Sequence, residues 1–167
     1  MDLPISEKSL ILMQADDRIK PVLHNGRVAV IDIGSNSLRL VVYDKNGAYP
    51  APLFDERANC RLGEGLDQTG ELSSDRIEYA LETLTRFSAI ISEMGVGSCY
   101  PIATAAVRRA KNGLEFKKPA ENILGMPVQI LSQSDEANHV SRGLTLNIPE
   151  ATGLVADLGG GSIEIIA

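Results

Sequence analysis

The chain contains no tryptophan, and aromatic residues fill only 4% of its 167 positions. Packing must therefore rely on Leu, Ile, Val and Ala. Cysteine is nearly absent too. Cys60 and Cys99 lie far apart and lack the spacing of metal ligands. They read as reduced, half-buried thiols of a cytoplasmic protein. No apolar run is long enough to cross a membrane. Met1 to Asn25 lacks the features of a signal peptide, because charges interrupt it and no small-residue cleavage site follows an apolar core. It reads as a variable extension with a short helix around Ser9 to Ala15. Basic residues are outnumbered 16 to 22, for a net charge of −6 and a pI near 4.9. That balance argues against non-specific nucleic-acid binding. It leaves room for a local anion site built from N–H groups, arginine and metal.

What is present is a foldable composition, 44% hydrophobic and 23% charged. Val28 to Tyr43 organises the rest. Val28-Ala-Val-Ile31 and Leu38 to Tyr43 are β-rich runs, and the first reads as a strand buried on both faces. Between them lies Asp32-Ile-Gly-Ser-Asn-Ser37, a small polar loop. Gly34 allows the turn, Ser35, Asn36 and Ser37 offer short hydrogen-bonding groups, and Asp32 sits where an acid can hold a metal. The pattern returns in Val155-Ala-Asp157-Leu-Gly-Gly-Gly-Ser162-Ile-Glu-Ile-Ile166. Three successive glycines, Gly159, Gly160 and Gly161, let backbone N–H groups approach a ligand such as phosphate. Neither loop is a Walker motif, since no GK[ST] follows the glycines and a strand replaces the helix. Two ordinary hairpins would also explain the pattern. The repetition of Asp two residues before Gly favours a phosphate clamp.

In chain order, Asn46-Gly47 marks a turn and Tyr49-Pro-Ala-Pro52 a break. A third strand is expected from Phe54 to Arg61. Leu62-Gly-Glu-Gly-Leu-Asp67 reads as a surface connection, or as backbone lining a cleft. A helix is predicted over Ser74–Glu93, ended by Gly95 or Gly97, then a strand over Cys99–Ala103. Thr104 can cap the next helix, with Arg108 one turn on. Arg108 is either a solvated charge or a bidentate phosphate ligand, and Arg109 is a surface charge. Lys111 to Ala120 reads as helix and polar loop, Gly125-Met-Pro127 as a break, Val128–Leu131 as a short strand. A helix over Ser134–Asn147 follows, capped by Ser132 or Ser134. Spacing alone gives Asp135 and Glu136 a capping and dipole role. His139 reads as exposed or half-buried rather than a ligand. Asn147-Ile-Pro149 ends that helix, and Thr152 to Leu158 starts the final hairpin. Alternating strands and helices make the class α/β.

Four segments, in order, resemble the exopolyphosphatase / guanosine pentaphosphate phosphohydrolase family (Ppx/GppA phosphatases). They are Asp32-Ile-Gly-Ser-Asn-Ser-Leu-Arg-Leu40, Ala103-Thr-Ala-Ala-Val-Arg108 running into Ala110-Lys-Asn112, Ile130-Leu-Ser-Gln-Ser-Asp-Glu-Ala137, and Asp157-Leu-Gly-Gly-Gly-Ser-Ile-Glu164. The resemblance implies an actin-like ATPase (ribonuclease H-like) fold with a mixed β-sheet and flanking helices. It divides the chain into an extension over 1–27, an actin-like domain over 28–150 and the first hairpin of a second domain over 151–167. Such a chain looks like an N-terminal part, with little hydrolase activity expected of it alone and self-association expected through its last strand. The resemblance implies Gly34, Ser35, Asn36, Ser37, Arg108, Gly159, Gly160, Gly161 and Ser162 as phosphate ligands. It implies Asp32, Asp157 and Glu164 near a magnesium ion (Mg2+), and Glu136 as the catalytic glutamate activating water. Against the family pattern, Gln133 stands in place of a glycine, Asp135 of a glutamate, Asn138 of an arginine and Ile163 of a threonine. The activity implied is hydrolysis of terminal phosphoanhydrides of polyphosphate or guanosine pentaphosphate, with neither nucleic acid nor membrane as partner. A non-catalytic polyanion-binding module and a phosphotransferase are the competing readings; Glu136 favours a hydrolase over the latter.

Overall fold

The computed structural model describes residues 26–45, 50–148, 153–160 and 163–166. The expected helix near Ser9, the Asn46-Gly47 turn, Pro149, Gly161 and Ser162 lie outside them. Strands β1 (Arg27–Ile33) and β2 (Leu38–Asp44) form the expected hairpin, with Ile31 opposite Leu40. Strand β3 (Ala51–Ala58) continues the antiparallel meander. It begins earlier and ends earlier than predicted. Pro52 falls inside it, on the sheet's edge strand and next to Leu53, the bulged residue that the pairing skips between the Val42–Phe54 and Tyr43–Pro52 pairs; edges and bulges are where a strand tolerates a missing N–H.

A one-turn helix α1 (Leu66–Thr69) leads to the long helix α2 (Ser74–Glu93). Strand β4 (Ser98–Ala103) then lies parallel to β1, followed by helices α3 (Ala105–Arg109) and α4 (Gly113–Leu124). The shortest strand, β5 (Gln129–Ile130), pairs with β4, and helix α5 (Gln133–Asn147) follows. The five strands are ordered β3-β2-β1-β4-β5, and β6 (Val155–Leu158) and β7 (Ile163–Ile166) form a separate two-stranded ribbon. This mixed sheet with flanking helices is the predicted actin-like, ribonuclease H-like fold.

Period-two alternation selects the buried face. Ala29, Ile31 and Ile33 from β1 join Leu38, Leu40 and Val42 from β2 under Ala80, Leu84 and Phe87 of α2 and Phe116 and Ala120 of α4. The other face is only partly covered: Val28 and Val41 are buried, Val30 and Asp32 half-buried, Arg39 exposed. The expectation of a strand buried on both faces therefore holds at some positions and fails at others. Helix α4 runs past the predicted limit at Ala120. Phe116, Ala120 and Leu124, four residues apart, bury one stripe. Lys117 and Glu121 pair at 2.7 Å along the helix, so it continues through Pro119. Cys60 is fully buried rather than half-buried, with its Sγ 3.4 Å from Thr83 Oγ1. Among the described residues, no helix is long and apolar enough to cross a membrane.

Candidate active site

The C-terminal ends of the parallel strands β1 and β4 lie side by side, with Ile33 opposite Ala103. Open α/β sheets bind ligands at such ends. Here β1 delivers the Asp32–Ser37 loop, β4 delivers Thr104 and α3, and β5 delivers α5. The Thr104 N–H donates to Ile33 O at 3.2 Å, which ties the two strand ends together. Thr104 occupies the cap position of α3, but its side chain makes no capping bond. Its carbonyl accepts the Arg108 N–H at 3.0 Å instead.

The first loop is tightly turned. Gly34 N–H donates to Ser37 O at 3.1 Å. A Cβ on Gly34 would lie 3.0 Å from that oxygen and 4.0 Å from Asp32 Oδ1, so the Asp32 carboxylate stands beside the turn. The carbonyls of Ser35 and Asn36 accept from Gly63 and Arg61 N–H groups, both at 2.8 Å. The N–H groups of Ser35 and Asn36 make no backbone hydrogen bond among the described residues. With its carbonyls held by Arg61 and Gly63 and two successive N–H groups left without a backbone acceptor, the loop can offer those N–H groups to an anion.

Arg108 and Glu136 meet across the site. Arg108 Nη1 donates to Glu136 Oε2 at 2.9 Å and to Leu131 O at 2.8 Å. The Arg108 side chain is 22% exposed and that of Glu136 16% exposed, so solvent screens the pair only partly. A guanidinium has five N–H donors. Nη1 makes both bonds, which leaves the Nε and Nη2 edge for a second anion. Glu136 makes no capping bond. Asp135 closes the helix start instead. Ser132 Oγ accepts from Asp135 N–H at 3.1 Å, and Asp135 Oδ2 accepts from Ser132 N–H at 3.3 Å. Two neighbouring acids in one helical turn thus have different roles. Arg109 forms an exposed ion pair with Asp67, and His139 is exposed, as expected of both.

The second loop approaches the first. A Cβ on Gly160 would lie 2.9 Å from Asn36 Cβ and 3.3 Å from Asn36 N, so only glycine permits this approach. Asp157 is directly opposite Glu164 in the β6–β7 register. The side chains of these two acids are outside the described residues, and among those described no three His, Cys, Asp or Glu gather as a metal cluster. Asp and Glu are oxygen donors of the kind a hard divalent ion takes.

Sequence reasoning understated the Leu62–Asp67 segment. Leu62 is fully buried and its neighbours hold the Ser35–Asn36 carbonyls, so it is not a plain surface connection. The signal was available in the spacing of Leu62, Leu66 and Leu72, all of them buried.

A family model described as the Ppx/GppA phosphatase family matches residues 40–167. An exopolyphosphatase structure from Cytophaga hutchinsonii superimposes with a TM-score of 0.79 at 30% identity, covering 84% of this chain and 46% of that one. The Ppx/GppA family member from Aquifex aeolicus gives 0.70 at 31% identity, covering 84% and 50%. A second structure, of the Aquifex aeolicus PPX-GPPA enzyme, gives 0.71 at 34% identity, covering 83% and 47%. The chain spans about half the length of these structures.

Proposed function

The chain belongs to the Ppx/GppA phosphatase family, and on that premise we propose that it carries the residues that hydrolyse the terminal phosphoanhydride of inorganic polyphosphate or guanosine pentaphosphate. The observation that supports this most is the 2.9 Å Arg108–Glu136 pair at the strand ends that also hold the Asp32–Ser37 loop. It joins a cation that can grip a phosphoryl group to a carboxylate that can take a proton from water.

The terminal phosphate would sit on the N–H groups of Ser35 and Asn36, with the Nε and Nη2 edge of Arg108 against its oxygens. Gly34, Ser37, Gly159, Gly160, Gly161 and Ser162 would complete the cradle from two sides. Glu136 would orient a water and accept its proton as the water oxygen attacks the terminal phosphorus. The bridging P–O bond breaks, and the shortened chain leaves with the electron pair. Magnesium held by Asp157 and Glu164, with Asp32 near, would neutralise phosphoryl charge. Arg108 keeps Glu136 oriented before substrate arrives, so the base is preorganised rather than recruited.

The test is phosphate release from long-chain polyphosphate and from guanosine pentaphosphate with magnesium, comparing the protein with Glu136→Gln and Arg108→Ala. Loss of turnover with retained substrate binding in Glu136→Gln, and weakened binding in Arg108→Ala, is expected. Unchanged release by Glu136→Gln would overturn the assignment. Because little release is expected of this chain alone, the comparison is made with the second domain supplied, and tight polyphosphate binding with no release by any form would then favour a binding module.

A further inference from the structure

Residues 61–72 connect β3 to α2, yet they touch the site at both ends. At the near end, Arg61 and Gly63 N–H groups hold Asn36 O and Ser35 O, each at 2.8 Å. Arg61 adopts φ 51, the left-handed region, and is the one non-glycine residue to do so among those described. That conformation costs roughly 1 kcal/mol, and it falls at the residue whose N–H holds Asn36 O. At the far end, Asn112 grips Leu72 twice: Nδ2 donates to Leu72 O at 2.9 Å and Oδ1 accepts from Leu72 N–H at 2.8 Å. Lys111 N–H donates to Gly70 O at 3.0 Å, and Arg109 pairs with Asp67. In between, Leu62, Leu66 and Leu72 are buried in the core. At Gly63 a Cβ would lie 3.1 Å from Ser35 Cβ and 3.5 Å from Ala106 Cβ, so the segment is wedged between the phosphate loop and α3.

We propose that residues 61–72 are a strap that fixes the Ser35–Asn36 loop against the helix carrying Arg108, with Asn112 as its positioning residue. Arg109, Lys111 and Asn112, which follow Arg108 in the chain, take hold of the far half of the strap at Asp67, Gly70 and Leu72. The near half holds the two carbonyls behind the anion-facing N–H groups. The distance between Arg108 and the loop is thereby set by hydrogen bonds rather than by the sheet alone. The role in ligand binding rests on the phosphate reading above; the mechanical role does not.

The experiment measures two things in Asn112→Ala, Asn112→Asp and the control Ser88→Ala. The control removes a part-buried bond to Ile123 O, between α2 and α4, and leaves the strap intact. The first readout is amide hydrogen exchange at Arg61 and Gly63 relative to the β1–β2 ladder. The second is affinity for inorganic tripolyphosphate, well below the melting temperature. Asn112→Ala is expected to speed exchange at Arg61 and Gly63 about tenfold more than in the ladder, and to weaken tripolyphosphate binding about tenfold, as the loss of one charge-assisted bond would. Asn112→Asp keeps the acceptor for Leu72 N–H but sets a carboxylate oxygen against Leu72 O in place of the donor, and should perturb both readouts at least as much as Asn112→Ala. Ser88→Ala should lower the melting temperature and change neither readout. Exchange at Arg61 and Gly63 that merely follows the ladder overturns the strap. Accelerated exchange with unchanged affinity overturns the positioning role. A wild-type chain that binds no tripolyphosphate overturns the phosphate reading, and the exchange data still decide the strap.

Discussion

Replacing Arg108 by alanine removes two hydrogen bonds at once, to Glu136 Oε2 and to Leu131 O. It also leaves Glu136, 16% exposed, with less water than a surface carboxylate has and no cation beside it. Exposed ion pairs contribute about 0–1 kcal/mol, whereas breaking a buried pair costs about 3–5 kcal/mol. This pair lies between those limits. Arg108→Ala should therefore destabilise the fold by about 2 kcal/mol, or about 6 °C in melting temperature for a chain of this size. Glu136→Gln should cost less, because the amide oxygen can still accept from Nη1. Urea denaturation of the two single variants and the double variant isolates the pairwise part, expected at about 1–1.5 kcal/mol. The coupling should persist in about 0.5 M salt, since a half-buried pair is screened less than a surface one. Additivity within about 0.3 kcal/mol would show that the two side chains do not interact in solution and would refute the geometry on which the site rests.

Gly113→Ala should be among the most damaging small substitutions, because its Cβ would lie 2.0 Å from Val107 O; a loss of about 3 kcal/mol in urea denaturation is expected, and a neutral result would mean that the α3–α4 junction is placed differently. Burial pushes the Cys99 thiol up to about 12, so iodoacetamide at about pH 8 should modify native Cys99 far more slowly than the guanidinium-unfolded chain; equal rates would contradict its burial. The Asp55 carboxyl is held below the usual carboxylate range by its hydrogen bonds to the Arg39 guanidinium. Its stabilising contribution is thus present above the ordinary carboxylate pKa and is lost as pH falls through the folded value. An NMR titration should find the Asp55 midpoint higher in Arg39→Gln, and an unchanged midpoint would dismiss the pair.

The elements were legible because each rests on local chemistry. Apolar β-rich runs around Gly34 specified β1 and β2, and apolar residues at helical spacing over Ser74–Glu93 specified α2. Edges were less legible. Pro52 reads locally as a break, and only its place on an edge strand, beside the bulge at Leu53, makes it tolerable. Lys111 to Ala120 reads as helix and polar loop, and the burial of Phe116, Ala120 and Leu124 carries α4 on to Leu124.

The sequence by itself determined which residues are candidates for the chemistry: Asp32, the two glycine-rich loops, Arg108 and the acids Asp135 and Glu136 are all visible in spacing and resemblance. Spacing could not divide the labour between Asp135 and Glu136, because both satisfy the local requirement for an acid in a first helical turn; only the resemblance singled out Glu136. Tertiary structure gives the two acids different partners. The strand order β3-β2-β1-β4-β5 sets β4 beside β1 and β5 beside β4, which brings Arg108 to a glutamate 28 residues away and leaves Asp135 to cap. The same order lays residues 61–72 behind the Ser35–Asn36 loop. Local sequence fixes dihedral preferences and which face of an element is apolar. Which loop meets which side chain depends on how distant strands pair, and that is decided by burial summed over the whole sheet.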